Sequence, residues 1–221
     1  LDDRLNQTLL NYSMVYVFHS YAKIAFSLFN YLWIADKLIA LNRKSLFHLS
    51  IFTLFGFSLI GYIMLHFSAE VDFWDILSLS YLNWKSISIG TSIGLLSAGL
   101  GLLLIKVLPN GKLNKLMKGI MDDLDPQWYH ILFYSFCAGF GEELFFRGAV
   151  QHYILLWPTA IIFVLIHGYL NIKDKTMFIY GVFLIFISAT FGYLFKFLGI
   201  YAAISAHFTY DVVMFGYMKR K

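Results

Sequence analysis

The chain has 221 residues, 59% hydrophobic and 19% aromatic, with only 14% charged and a formal net charge of +4. A charged fraction far below the ~25% usual in soluble domains, with a mean hydropathy of +0.68, excludes a soluble globular protein. The single cysteine, Cys137, excludes an internal disulfide, and the basic residues lie beside apolar runs, which reads as membrane topology and not as a nucleic-acid surface.

Long apolar stretches recur from end to end, so the expected fold class is all-α: a polytopic transmembrane helical bundle of about seven spans. The spans are placed at 9–34, 46–66, 87–108, 126–153, 157–171, 176–195 and 199–218. The first carries Asn11, His19, Lys23 and Asn30, and reads as partly amphipathic or tilted. His19 and Lys23, four apart, share a helix face. Between 67 and 86, Glu70, Asp72, Trp74, Asp75 and Trp84 suit an interfacial loop or short surface helix. In the third span Gly90, Gly94 and Ala98 form a small-residue stripe of the kind that lets helices approach closely in lipid.

All three prolines fall at boundaries. Pro109 with Asn110-Gly111 ends the third span. Asp125-Pro126 offers an N-cap followed by proline at the first helical position, opening the fourth. Trp157-Pro158 opens the fifth, with the indole as an interfacial anchor. The chain divides into amino-terminal membrane helices and loops, 1–125, and a carboxyl-terminal helical core, 126–218, within one membrane-embedded unit.

Seven spans put Lys37, Arg43, Lys44, Lys106, Lys112, Lys115, Lys118, Lys173, Lys175, Lys219, Arg220 and Lys221 on one side, against Arg4, Lys85 and Lys196 on the other. That asymmetry predicts a multi-pass protein, in a bacterial plasma membrane, with its carboxyl terminus in the cytoplasm and its amino terminus outside.

The fourth span breaks the apolar rule. Gly139 to Gly148 contains Glu142, Glu143 and Arg147. A charge at bilayer depth costs at least ~2.5–3.5 kcal/mol, so such groups face a bundle interior and are usually functional. Glu143 and Arg147 are four apart and can pair; Glu142 points about 100° away around the helix and needs a partner elsewhere. The fifth span ends in Phe163 to His167, and the seventh holds His207 and Asp211, four apart, so that Asp211 can orient the imidazole or complete a metal site. At ~1.5 Å per residue, Glu142, His167 and His207 all fall ~12–16 Å below the outer helix ends. A buried Glu–Arg pair holding two helices together is one reading. Hydrolysis of an amide is the other: Glu142 takes a proton from water, while the histidines hold a metal or stabilise the oxyanion.

These three segments resemble the CPBP family of intramembrane proteases, which includes the CAAX prenyl endopeptidases. The family pattern Glu-Glu-x-x-x-Arg, Phe-x-x-x-His and His-x-x-x-Asn/Asp matches Glu142 to Arg147, Phe163 to His167, and His207 to Asp211, each in a separate helix. The likeness covers 126–218. It implies a CPBP-type catalytic core, a metallo- or glutamate-dependent endopeptidase acting on a membrane-associated or lipidated peptide or protein. Within it Glu142 would activate water, His167 and His207 would bind a divalent metal such as zinc or stabilise the oxyanion, and Asp211 would be a fourth polar member. Glu143 and Arg147 would shape the site or hold substrate backbone. Asp211 stands where the prenyl endopeptidases carry Asn.

Other classes stay open at this stage: a non-catalytic immunity or scaffold protein, a proton-coupled transporter, or a bis-histidine haem protein. Gly56-Phe57-Ser58 offers a rhomboid-type serine only by a three-residue match, and no His-Glu-x-x-His zinc motif occurs.

Overall fold

The computed structural model describes residues 43–67, 71–108, 113, 119, 121–122 and 124–220, all within one compact unit, Leu41–Lys221. The expected span at 9–34, with His19 and Lys23, lies outside the described residues, as do Glu70, the Pro109-Asn110-Gly111 turn, Lys112, Lys115 and Lys118.

The described chain is helical and contains no strand. Helix α1 is Arg43–His66, with π-helical turns over Thr53–Phe57. A one-turn helix, α2 (Phe73–Ile76), follows; Asp72 caps it by accepting from the Trp74 amide. Helix α3 is Trp84–Val107, started by Asn83 accepting from the Ser86 amide. Helix α4 (128–154) runs as Trp128–Glu143, π-helical turns over Leu144–Val150, and a last turn at Gln151–Ile154. Then come α5 (Leu156–Ile166), α6 (Lys175–Leu198) and α7 (Ile200–Lys219).

Helices α1, α3 and α6 are long and apolar enough to cross a membrane. The protein is an integral membrane protein, and its exposed side chains fit that setting: Phe55, Leu96, Leu103, Phe186 and Phe197 are each more than half exposed, a cost in water but none in lipid. The segment 71–83 carries the exposed Trp74 and Tyr81, as expected of an interfacial stretch.

Two sequence expectations are corrected. The fourth helix is not opened by Asp125-Pro126. Its N-cap is Gln127, in a reciprocal box with His130, because the Asp125 carboxylate is drawn away to Arg43 at 2.6 Å. The fifth helix stops at Ile166, five residues before its expected end at 171.

Backbone approach decides how the bundle closes. The stripe on α3 lies on α7: a Cβ at Gly90 would strike the Ala202 carbonyl, and one at Gly94 the Ala206 carbonyl. Gly139 of α4 faces the backbone of Phe208 on α7, where a Cβ would come within 3.0 Å of its amide nitrogen. Gly141 faces the Thr53 carbonyl within the π-helical turns of α1. With no hydrophobic drive between helices in lipid, this contact packing is what holds them. Cys137, fully buried on α4, serves the same interior. Ser58 bonds back to the Leu54 carbonyl at 2.5 Å, so Gly56-Phe57-Ser58 is a packing element.

Gly141→Val should push α1 from α4 and cost about 1–3 kcal/mol by overpacking, read as a lower thermal unfolding midpoint in detergent. Gly99→Ala, where a Cβ meets nothing within 4 Å, should leave that midpoint unchanged or raise it.

Candidate active site

The helices bring the six expected residues together. Glu143 and Arg147 pair through Oε2 and Nε at 2.9 Å, with side chains 0% exposed. The pair spans the point where α4 passes into its π-helical turns, a local irregularity frequent at functional sites. Arg147 also donates through Nη2 to Ser188 Oγ on α6 at 2.9 Å, and its guanidinium lies 5.4 Å from the centre of the Phe163 ring on α5. Its Nη1 is buried and has no hydrogen-bond partner among the described residues. One side chain of α4 thus ties down α5 and α6.

Glu143 has a second task. Its Oε1 lies 2.9 Å from Nδ1 of His207 on α7, so the carboxylate that neutralises Arg147 also fixes the imidazole. The expectation that Asp211 orients His207 is corrected: Asp211 Oδ2 sits 3.7 Å from Nε2, beyond a good hydrogen bond and on the opposite edge of the ring. A neighbour four residues along the same helix reaches the exposed edge, whereas the buried edge faces α4.

Glu142 turns away from Arg147, as helix geometry requires, and is the carboxylate that remains open. Its Oε2 lies 3.6 Å from His167 Nε2 and 4.0 Å from His207 Nε2. His167 is the C-cap of α5, and its Nδ1 lies 2.6 Å from the Phe163 carbonyl. Since a carbonyl only accepts, Nδ1 carries the proton, and Nε2 is directed at Glu142. The Glu142 side chain is 12% exposed and that of His167 is 34% exposed, against none for Glu143.

These residues open on a cavity of about 250 Å³. Glu142, His167, His207 and Asp211 line it at one side; Leu49 and Thr53 of α1 and Phe191 of α6 make much of the apolar wall. It is flanked by the start of α1, the end of α5, the start of α6 and the end of α7, the end of the bundle that carries Arg43, Lys173, Lys175, Lys219 and Arg220.

The donors that zinc would take are Nε2 of His167 and His207 with a carboxylate oxygen of Glu142 or Asp211, and both Nδ1 atoms are anchored as those of ligating histidines are. Among the described residues no three such side chains are arranged to hold a metal ion.

Sequence reasoning missed Ser188, Tyr180 and Tyr210. Ser188 lies with Thr190 in an otherwise apolar run, and polar residues in such helices generally bond across to a neighbour. Tyr180 and Tyr210, on α6 and α7, share a hydrogen bond of 2.9 Å between their hydroxyls in the cavity wall. Nothing in their spacing announced that meeting.

Comparison with known proteins agrees with the motifs. Residues 124–213 match the family model described as type II CAAX prenyl endopeptidase Rce1-like. The uncharacterized protein YpbD of Bacillus subtilis (strain 168) is 29% identical over 85 residues, 38% of this chain and 43% of that protein. The match therefore spans less than half the length of that curated relative. No solved structure matches the chain significantly. The likeness to the CAAX-type protease family is thus carried by the part that holds Glu142, His167 and His207, and all three motifs lie inside it.

Removing Arg147 should expose its role. Arg147→Met leaves the Glu143 charge buried without its cation and should cost about 3–5 kcal/mol. In the double variant Arg147→Met with Glu143→Gln much of that loss should return, giving a coupling well above ~0.5 kcal/mol in a double-mutant cycle on detergent unfolding.

Proposed function

We propose that the protein is an intramembrane endopeptidase, hydrolysing a peptide bond of a membrane-associated or lipidated protein or peptide. The observation that carries this is the partly exposed Glu142 carboxylate facing two anchored imidazoles in the cavity. The family match over 124–213 supports the reaction class.

Hydrolysis can run on these side chains alone. A water held between Glu142 and His167 gives a proton to the carboxylate as its oxygen attacks the carbonyl carbon of the scissile bond. The carbonyl π electrons move to oxygen, forming a tetrahedral oxyanion. As it collapses, the C–N bond breaks and the proton held by Glu142 passes to the leaving nitrogen, releasing an amine and a carboxylic acid that keeps the second proton of the water. Glu143, bonded to both Arg147 and His207, keeps that imidazole in register throughout. Substrate and water enter from the basic end of the bundle, which the excess of Lys and Arg assigns to the cytoplasm.

The rival reading is a scaffold in which the Glu143–Arg147 cluster only fastens helices. Purified protein in detergent, incubated with a library of apolar and lipidated peptides, separates the two. Glu142→Gln, which keeps shape but cannot take the proton, should lower cleavage about 10²–10⁴-fold with unfolding unchanged. A Glu142→Gln protein that cleaves as fast as the parent, or a parent that cleaves nothing, would overturn the proposal.

A further inference from the structure

Among the described residues three buried side-chain nitrogen or oxygen atoms make no hydrogen bond: Ser135 Oγ, Arg147 Nη1 and Gln151 Oε1. Such atoms are rare in folded proteins, and an ordered water is a common reason for them. Arg147 and Gln151 are four residues apart on α4, so they share a helix face. Of their two orphan atoms, one is a donor and the other an acceptor.

Both side chains reach the same neighbouring helix. Arg147 Nη2 donates to Ser188 Oγ at 2.9 Å, and Gln151 Nε2 donates to the Gly192 carbonyl at 3.3 Å. Ser188 and Gly192 are likewise four apart, so the two bonds are successive rungs between α4 and α6. A carbonyl only accepts, so Gly192 holds the amide with Nε2 towards it and leaves Oε1 as the free end. The glycine makes room for this: a Cβ at 192 would come within 2.6 Å of Oε1 and 3.1 Å of Leu156. The Ser188 rung is also incomplete. Its oxygen accepts from Arg147, and its own hydroxyl proton has no acceptor among the described residues.

The space between the rungs therefore presents two donors, Arg147 Nη1 and the Ser188 hydroxyl, and one acceptor, Gln151 Oε1. At ~1.5 Å per residue the rungs are about 6 Å apart along the helices. One water spans nearly that distance, ~5.8 Å, through two hydrogen bonds of ~2.9 Å. Three polar partners is also the usual number for a buried water. An anion suits the space less well, because Glu143 already neutralises the guanidinium at 2.9 Å and Oε1 would repel a second negative charge. Ser188 lines the cavity, which gives water a way in, while the Phe163 ring covers the guanidinium and Leu156 lies against Gly192.

We propose that a single water is bound between α4 and α6, accepting from Arg147 Nη1 and the Ser188 hydroxyl and donating to Gln151 Oε1. It joins the two rungs into one polar network. That network runs from His207 through Glu143, Arg147, Ser188 and the water to Gln151 and the Gly192 carbonyl. The site does not depend on the hydrolytic reading above.

The test is a crystal structure of the full chain grown from a lipid phase, at a resolution that shows ordered water, with bromide in the solution. A peak within hydrogen-bond distance of Nη1, Ser188 Oγ and Oε1, without the anomalous signal of bromide, is the expected result. Empty density, an anomalous peak, or Oε1 turned directly onto Nη1 overturns the proposal. A second measurement needs no crystal: unfolding in detergent of Gln151→Leu and Ser188→Ala, alone and together. These two side chains are not bonded to one another, so without a shared water their effects on the unfolding constant multiply. With the water, the double variant should fall short of that product by about twofold or more. A plain product overturns the proposal.

Discussion

A guanidinium with no exposed surface fixes the geometry of this membrane bundle. Arg147 is held by Glu143 on its own helix and by Ser188 on α6, and its face lies against Phe163 on α5. In a low-dielectric interior an ion pair is costly unless its remaining valences are met, and here Ser188 and His207 on other helices each meet one of them. Glu143 extends the same network to His207 on α7. Four helices are therefore committed to one arrangement, and Glu142, the next residue along, is held where its partners are.

The second constraint is backbone proximity. Glu142 reaches His207 because Gly139 lets α4 lie on the backbone of α7, and the cavity gains its α1 wall because Gly141 meets the Thr53 carbonyl. Both glycines belong to the short stretch that carries the carboxylates. Packing and chemistry are thus written in the same ten residues, 139–148, with α3 bracing α7 from behind through Gly90 and Gly94.

Much of this was legible before any coordinates. The i, i+4 spacing identified the Glu143–Arg147 pair, the turn angle of a helix set Glu142 apart, and the hydropathy placed six of the seven expected spans close to described helices. What was not legible depended on which edge of a ring meets which helix. Asp211 seemed placed to orient His207 because both lie on one helix face, but the ring turns Nδ1 to Glu143, 64 residues away in sequence. Ser188 and the Tyr180–Tyr210 pair were hidden for the same reason, since a hydroxyl in an apolar run gives no bearing on which helix it meets. Gly168 was the one overlooked local signal: a glycine right after His167 marks the end of a helix, and an early end corrects the expected span 157–171.

The shortness of α5 has a consequence for the surrounding lipid. Eleven helical residues rise only about 16 Å, roughly half of a hydrocarbon core ~30 Å thick. The non-helical stretch 167–174 that follows it carries amide and carbonyl groups that hydrocarbon cannot satisfy, so it must be met by water or protein. A membrane-crossing helix this short is accommodated by local thinning of the bilayer, at a modest cost per ångström of mismatch. A thinner bilayer lowers that cost and a thicker one raises it. The early end of α5 at His167 therefore ties this flank of the bundle to the thickness of the bilayer it meets.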